Sequence, residues 1–292
     1  MLDFDLSRKG VAPRSASTLI VLRAPTDRTF EVFCVQRRKG GFLGGAVVFP
    51  GGALDSDDTD PAWERFATPP RNARAAFAGS EANARGLAVA ACREALEEAA
   101  ILPLEGSSPP HPELLEWRRR VTRDGQHTGR ELRALLEAAG LRLDLASLIP
   151  FAHWITPSAE ARRFDTRFFL FVADAGVVGL HDDCETTASL WASPDEILRR
   201  YVAGELQLAP PTHRTLEVLA AFRTTEEVVA AAEHAPLEAI CPQVVTHKDD
   251  RGETIAVVLP GDPEHPVREP RVAGKSRFVL RAGRFFPEDP PA

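Results

Sequence analysis

The sequence has no apolar run long enough to cross a bilayer. Its longest stretches, such as Phe168 to Ala173, fall far short of the roughly 20 residues that a spanning helix needs. It also lacks a secretory opening, because Met1-Leu2-Asp3-Phe4-Asp5 is acidic where a signal peptide carries a basic and then an apolar region. No C-x-x-C pair is present. Cys34, Cys92, Cys184 and Cys241 are far apart, which argues against a zinc knuckle or a disulfide framework and leaves buried free thiols as the expectation. The final Pro-Pro-Ala is not a Ser-Lys-Leu peroxisomal address, so the cytoplasm is the expected compartment and no membrane partner is expected. A basic excess is missing too: Lys and Arg sum to 35 against 42 Asp and Glu, a net charge of −7. That excludes a broad footprint for nucleic acid, whereas a small anionic ligand needs only a few local cations. There is no internal repeat and no long low-complexity tract.

What is present can bury one large core, or a core plus a smaller unit, since 44% of the 292 residues are hydrophobic. Thr18 to Leu22 and Thr29 to Gln36, separated by Ala24-Pro25-Thr26-Asp27, predict a β-hairpin. A glycine-dense turn, Gly40 to Gly45, leads into a short strand, Ala46 to Phe49. That strand is expected to break at Pro50-Gly51-Gly52, where the backbone can approach a ligand closely. An alanine-rich run from about Ala82 to Ala100 predicts a long helix with Gly86 as its one weak link and Pro103 past its end. Further helices are expected at Glu113 to Thr122, at Arg130 to Ala139, from the Ser193 cap to about Val202, and after Pro210-Pro211-Thr212. Strands are expected at Leu148 to Ile155 and Arg167 to Val172. After Pro236 the chain changes to strand-like pieces, Thr254 to Leu259 and Arg277 to Arg281, ending in a tail that should fray from Pro287.

The long helix carries Arg93-Glu94-Ala95-Leu96-Glu97-Glu98. At 100° per residue Glu94, Glu97 and Glu98 share one face. Three carboxylates so close repel one another and raise each other's pKa unless cations balance them, and hard divalent ions with oxygen ligands are natural partners. By itself such a face reads more simply as solvated, with Arg93 pairing Glu97 one turn away.

Together with Phe49-Pro50-Gly51-Gly52-Ala53-Leu54-Asp55, however, Arg93 to Ile101 resembles the Nudix box, G-x5-E-x7-R-E-U-x-E-E-x-G-U. Gly52 takes the first glycine, Asp58 falls where the first Glu belongs, and Arg93, Glu94, Glu97, Glu98 and Ile101 take the later positions. The chain departs from the pattern in three ways. Asp58 replaces Glu, Ala100 replaces the last Gly, and 34 residues separate Asp58 from Arg93 where the pattern has seven. The split box is similar to the Nudix branch that contains the mammalian peroxisomal coenzyme A diphosphatase. So are Trp154-Ile155-Thr156-Pro157, the segment Arg162 to Phe169, and Leu208-Ala209-Pro210-Pro211-Thr212.

The resemblance covers roughly Ala16 to Phe222. It implies an α/β fold, a Nudix-type α/β/α sandwich with a mixed sheet over 15–234, interrupted by helical insertions at about 59–80 and 104–146. A small β-rich extension would fill 235–292. It further implies metal-dependent hydrolysis of a diphosphate in a small nucleoside diphosphate derivative, foremost coenzyme A or acyl-coenzyme A. ADP-ribose, NAD-type dinucleotides and dinucleotide polyphosphates are alternatives, as is a Nudix-fold sensor without turnover. The implied cofactor is Mg²⁺ or Mn²⁺, held by Glu94, Glu97 and Glu98 with the Gly52 carbonyl as a further ligand, while Arg93 orients the glutamates. Glu185, six residues before Trp191, resembles a loop acid that binds metal or acts as base; the alternative is a surface acid beside Asp182 and Asp183. Arg37, Arg38, Arg162 and Arg163, with Lys39, are the candidate cations for substrate phosphates, Arg37 first. His153, His213 and His247 have no ligand-like spacing. A homodimer is left open.

Overall fold

The computed structural model describes residues 5, 10–25, 29–40, 43–71, 75–123 and 129–290. The acidic opening at 1–4, the hairpin tip at 26–28, two residues of the glycine-dense turn at 41–42 and the last two of the tail lie outside them.

Seven strands form one mixed sheet: β1 (Arg14–Arg23), β2 (Glu31–Arg37), β3 (Val47–Val48), β4 (Gly51–Ala53), β5 (Ile149–Ile155), β6 (Phe164–Val172) and β7 (Thr186–Ala192). Their order is β3-β2-β1-β6-β5, with β4 on β1 and β7 on β2. The expected hairpin pairs β1 with β2 antiparallel, and β1 pairs with β6 in parallel. Ala16 to Leu22 is buried throughout, as a central strand covered on both faces requires.

One face carries α1 (Trp63–Phe66), α2 (Ala75–Ala78), α3 (Glu81–Ala99), α4 (His111–Val121) and α5 (Gly129–Ala139). The other carries α6 (Pro194–Val202), α7 (Pro210–Ala220) and α8 (Thr225–His234). The two cores alternate along β1, Leu19 and Val21 facing α3 while Ile20 and Leu22 face the other layer. The fold is therefore the expected α/β/α sandwich. No helix among the described residues is long and apolar enough to cross a membrane.

The helix α3 starts where Ser80 accepts the Asn83 N–H, and it ends at Ala100 in the left-handed region, φ 52°. This is where the box pattern has its last glycine. An alanine held there costs roughly 1–2 kcal/mol that glycine would avoid. The segments expected as insertions, 59–80 and 104–146, pack on each other. Trp63 is fully buried, its Nε1 donates to the Asp57 carbonyl at 2.8 Å, and Arg133 lies over its ring and reaches Asp60 at 2.7 Å.

A second sheet, antiparallel, orders β8 (Gln243–Asp249), β9 (Gly252–Val258), β10 (Arg277–Arg281) and β11 (Arg284–Glu288) as β11-β10-β9-β8. It shares the second core, contributing Val257, Phe278 and Phe285, and the Tyr201 hydroxyl on α6 donates to the Phe285 carbonyl.

Four expectations change. The tail expected to fray from Pro287 is paired through Glu288, with Pro287 opposite Phe278 and Glu288 opposite Arg277. The strand does not end at Pro50-Gly51-Gly52 but resumes as β4, Gly52 opposite Ser17 on β1. No strand is expected at Thr186 to Ala192, yet these residues form β7, paired along β2 just after Glu185. Cys184 is exposed rather than buried, unlike Cys34 and Cys92.

Candidate active site

Arg93 is 1% exposed and gathers the acids around it. Its Nε and Nη2 donate to the two carboxylate oxygens of Asp58, both at 2.9 Å; Nη1 donates to Glu94 at 3.0 Å and Glu97 at 3.1 Å; Nη2 also reaches the Ala53 carbonyl at 3.0 Å. The two halves of the split box thus meet in space. A 3-10 turn at Ser56–Thr59 holds Asp58 in place: Asp55 caps the turn, and the Asp55 N–H donates back to Asp58 at 2.8 Å. Gly86 explains its own presence in α3. A Cβ there would stand 2.9 Å from the Thr59 methyl, so the bare backbone lets the turn lie against the helix two turns before Arg93. Burial opposes ionisation of Asp58, and the forked hydrogen bonds from Arg93 act against it.

Glu98 is less well compensated. Its carboxylate accepts the Gly51 N–H at 3.0 Å and lies 3.7 Å from Arg37. Burial first, and then the charge of Glu94, push its carboxyl up to about 8, against the pull of Arg37 and the Gly51 N–H. Glu94 faces the β4 backbone so closely that a Cβ on Gly52 would come within 2.5 Å of its carboxylate.

These groups stand at one side of a cleft of about 630 Å³ lined by Gly52, Glu94, Arg37, Arg38, Lys39, Glu185 and Arg162. Arg93, Glu97 and Glu98 lie behind that surface, 1–4% exposed. Arg37 links the elements, reaching Glu185 at 3.6 Å as well as Glu98. Arg38 lines the cleft but spends its Nε on the Cys184 carbonyl at 2.7 Å, and its N–H on that of Glu185 at 2.8 Å, so it also shapes the loop. Arg163 does not line the cleft. Its Nε donates to the Thr156 carbonyl at 2.9 Å and its Nη1 to Val11 at 2.6 Å, fixing the turn between β5 and β6. His153 binds Asp165 at 2.6 Å, within the sheet rather than in the cleft.

Sequence reasoning missed two contributors. Arg14 lines the cleft from the first residue of β1, where nothing in its surroundings in the chain marks it. Asp182 is more than a surface acid: it accepts the N–H groups of Glu185 (3.0 Å) and Thr186 (2.8 Å), which sets the loop that presents Glu185. A separate group, His247, Asp249 and Glu288 in the second sheet, has ligand atoms close enough to hold a metal ion. Arg281 already bonds both of its carboxylates, so the positive charge a metal would bring is in place.

The segments noted for their resemblance, Trp154 to Phe169 and Leu208 to Thr212, both contribute to the cleft wall, through Trp154, Phe168, Pro210 and Thr212 among others. The sequence model of the family described as NUDT19 Nudix domain matches residues 11–219. The acyl-coenzyme A diphosphatase NUDT19 of Gallus gallus is 28% identical over 323 aligned residues, covering 93% of this chain and 84% of that protein. Its namesake in Homo sapiens is 30% identical over 246, covering 70% and 64%. Among solved structures, a Nudix hydrolase from Alicyclobacillus acidocaldarius is 31% identical with a TM-score of 0.64, over 75% of this chain and 96% of that one.

Proposed function

Because the chain belongs to the NUDT19 Nudix domain family, and is thereby a Nudix hydrolase acting on diphosphate bonds, we propose that it cleaves coenzyme A or acyl-coenzyme A to 3′,5′-ADP and a 4′-phosphopantetheine product, with Mg²⁺ or Mn²⁺ as cofactor. The observation that carries this choice of substrate is that the two segments resembling the coenzyme A branch line the same cleft as Glu94 and Glu185.

The residues fit a hard divalent cation. Glu98 is a buried carboxyl whose ionisation the surrounding protein does not balance, and Gly52 leaves the space before Glu94 clear of side chain. Glu94, Glu97 and Glu98, with the Gly52 carbonyl, would hold the ion, which supplies charge neutralisation of the diphosphate and acidifies bound water. Arg93 keeps the glutamates in register from behind. Arg37, Arg38, Lys39 and Arg162 offer cations to the diphosphate oxygens along the cleft. Glu185, half-exposed beside Arg37, is assigned to take a proton from the water that attacks phosphorus, while the bridging oxygen leaves with the bonding pair on the other phosphate.

The test is product analysis with Mg²⁺ over coenzyme A, acyl-coenzyme A, ADP-ribose, NAD and a dinucleotide polyphosphate. 3′,5′-ADP should appear from the first two, at a kcat/KM above that for ADP-ribose. A tenfold preference for ADP-ribose, about 1.4 kcal/mol in transition-state binding, would overturn the substrate while leaving the hydrolase in place.

A further inference from the structure

The match to the family model ends at residue 219, yet the cleft wall does not. Pro242 and Val257 line the cleft from beyond it, facing the same space as Trp154, Phe168 and Pro210. Both are buried, Val257 at 2% exposure. Their position is fixed from three sides. The Ile240 N–H donates to the His153 carbonyl at 2.8 Å, and the Ile155 N–H donates to the Ile240 carbonyl at 2.9 Å, so the chain is bonded to the edge of β5 two residues before Pro242. Val257 sits inside the second sheet, opposite Val244 on β8 and Phe278 on β10. Arg214 on α7 lies over the Phe278 ring and donates to the Lys275 carbonyl, which ties that sheet to the helix opening at Pro210.

We propose that the C-terminal sheet is part of the substrate site, and that Pro242 and Val257 set the size of the uncharged apolar group flanking the diphosphate. The inference deepens the reading above, since it rests on this cleft binding the diphosphate substrate. The chemistry of the wall supports it. The charged groups that line the cleft are Arg37, Arg38 and Lys39 after β2, Arg14 at the start of β1, Glu160 and Arg162 between β5 and β6, and the acids Glu94 and Glu185, whereas Pro242, Val257, Trp154, Phe168 and Pro210 bring no charge. A wall of this kind discriminates by volume, and one methylene against a well-packed apolar surface is worth about 10–200-fold in specificity. The group can be the aliphatic pantetheine-acyl arm or the ring of the base, and the two halves of the product separate these sources.

The experiment uses the full chain with Mg²⁺, comparing wild type with Val257→Phe, which fills the wall, and with Val257→Ala and Pro242→Ala, which open it. The readouts are kcat/KM for coenzyme A and for acyl-coenzymes A of increasing chain length, and inhibition by 4′-phosphopantetheine and by 3′,5′-ADP. The expected result is that Val257→Phe changes the ratio of the two inhibition constants by about tenfold or more, with the alanine variants moving it the other way. Selective weakening of 4′-phosphopantetheine, with a falling preference for long acyl chains, puts the wall against the arm. Selective weakening of 3′,5′-ADP, equal for all chain lengths, puts it against the base. Either supports the proposal. Equal loss for both halves, or no change in either, overturns it. If Val257→Phe does not fold, the alanine variants decide. If wild type does not cleave coenzyme A, the substrate reading fails on its own, and the wall is tested with the product halves of whichever diphosphate in the panel is cleaved.

Discussion

Two buried arginines, Arg93 on α3 and Arg277 on β10, each fork onto an aspartate and collect further carboxylates, but the outlying carboxyls of the two networks are shifted in opposite directions. Arg277 is fully buried and donates to Asp262 at 2.7 and 3.0 Å and to Glu264 at 2.8 Å. Nearby, Arg281 bonds Asp249 and Glu288. Burial would push the Asp262 carboxyl up, yet Arg277, the Glu264 N–H and Ser276 hold it below its ordinary range. Glu288 is held low chiefly by Arg281. Around Arg93 the compensation runs out one turn further on, and Glu98 is driven up to about 8. Both networks contain buried ion pairs, which are costly to break. Only the one around Arg93 leaves a buried carboxyl raised above its ordinary range, the feature on which the proposed cation site rests.

The largest effect is expected where compensation is complete. Arg277→Met strands Asp262 and should cost about 3–5 kcal/mol of folding stability, the scale for breaking a buried pair from one side. Denaturant midpoints would measure it. The Mg²⁺ concentration that half-saturates activity, taken per folded molecule, should not move. If it does move, the two networks are not separate.

At Glu98 the pattern should reverse. Glu98→Gln removes a charge that the apo protein balances poorly, so the melting temperature without metal should stay level or rise, while kcat should fall by roughly 10²-fold or more, on the scale of lost electrostatic catalysis. Chelation should abolish wild-type activity likewise. A near-normal turnover number for Glu98→Gln would mean that the uncompensated carboxyl is not where the cation acts.

A third network sharpens the comparison through pH. Burial raises Asp165, but the hydrogen bonds of His153 and Arg167 more than reverse this and lower its carboxyl to about 2. Because the folded value lies below the unfolded one near 3.8, its contribution is present above about pH 4 and fades as the pH falls through 2. It amounts to about 2 kcal/mol, from a carboxylate that is 24% exposed. Asp165→Asn should therefore lower stability at pH 6 and flatten its fall between pH 4 and 2, as followed by thermal melts. Parallel curves for the two proteins would place the acid transition elsewhere.

The alternation of strands and helices and the acidic face of α3 were legible because alanine-rich helical spacing and runs of Val, Ile and Phe are local signals, whereas the α/β/α layering came only from the resemblance of the box. The strand β4 was not, since Pro50-Gly51-Gly52 reads as a break until β1 is there to pair with it. The strand β7 begins Thr-Thr-Ala-Ser and gains its place from β2 rather than from its own hydrophobicity. The contact of Asp58 with Arg93 spans 35 positions, a distance at which spacing says nothing; only the box resemblance put the two together. The cations were ambiguous for another reason. Arg37, Arg38, Arg162 and Arg163 look alike in the chain, and what separates Arg37 from Arg163 is which carbonyls and carboxylates the tertiary fold leaves near each guanidinium.

The smallest effect concerns the loop that brings Glu185 to the cleft. Its carboxylate is half-exposed, 3.6 Å from Arg37, and has less burial to overcome than Glu98. Glu185→Gln should lower kcat by about tenfold with little change in melting temperature, as expected when a loop acid acts in the transition state. Asp183, with its side chain 82% exposed, should tolerate Asn with activity near wild type. Asp182 differs from both, because its carboxylate accepts two backbone N–H groups and the Thr186 hydroxyl at 2.6 Å. Asp182→Asn keeps the shape but loses the charge in these bonds, so it should lower the melting temperature slightly and reduce kcat by less than Glu185→Gln does. Rate and stability must be measured on the same preparations. A dead Asp183→Asn enzyme beside a normal Glu185→Gln would mean that the neighbouring acid acts in the loop. Full activity in all three would leave proton transfer to the α3 glutamates, and the network around Arg93 would then need no partner from the loop before β7.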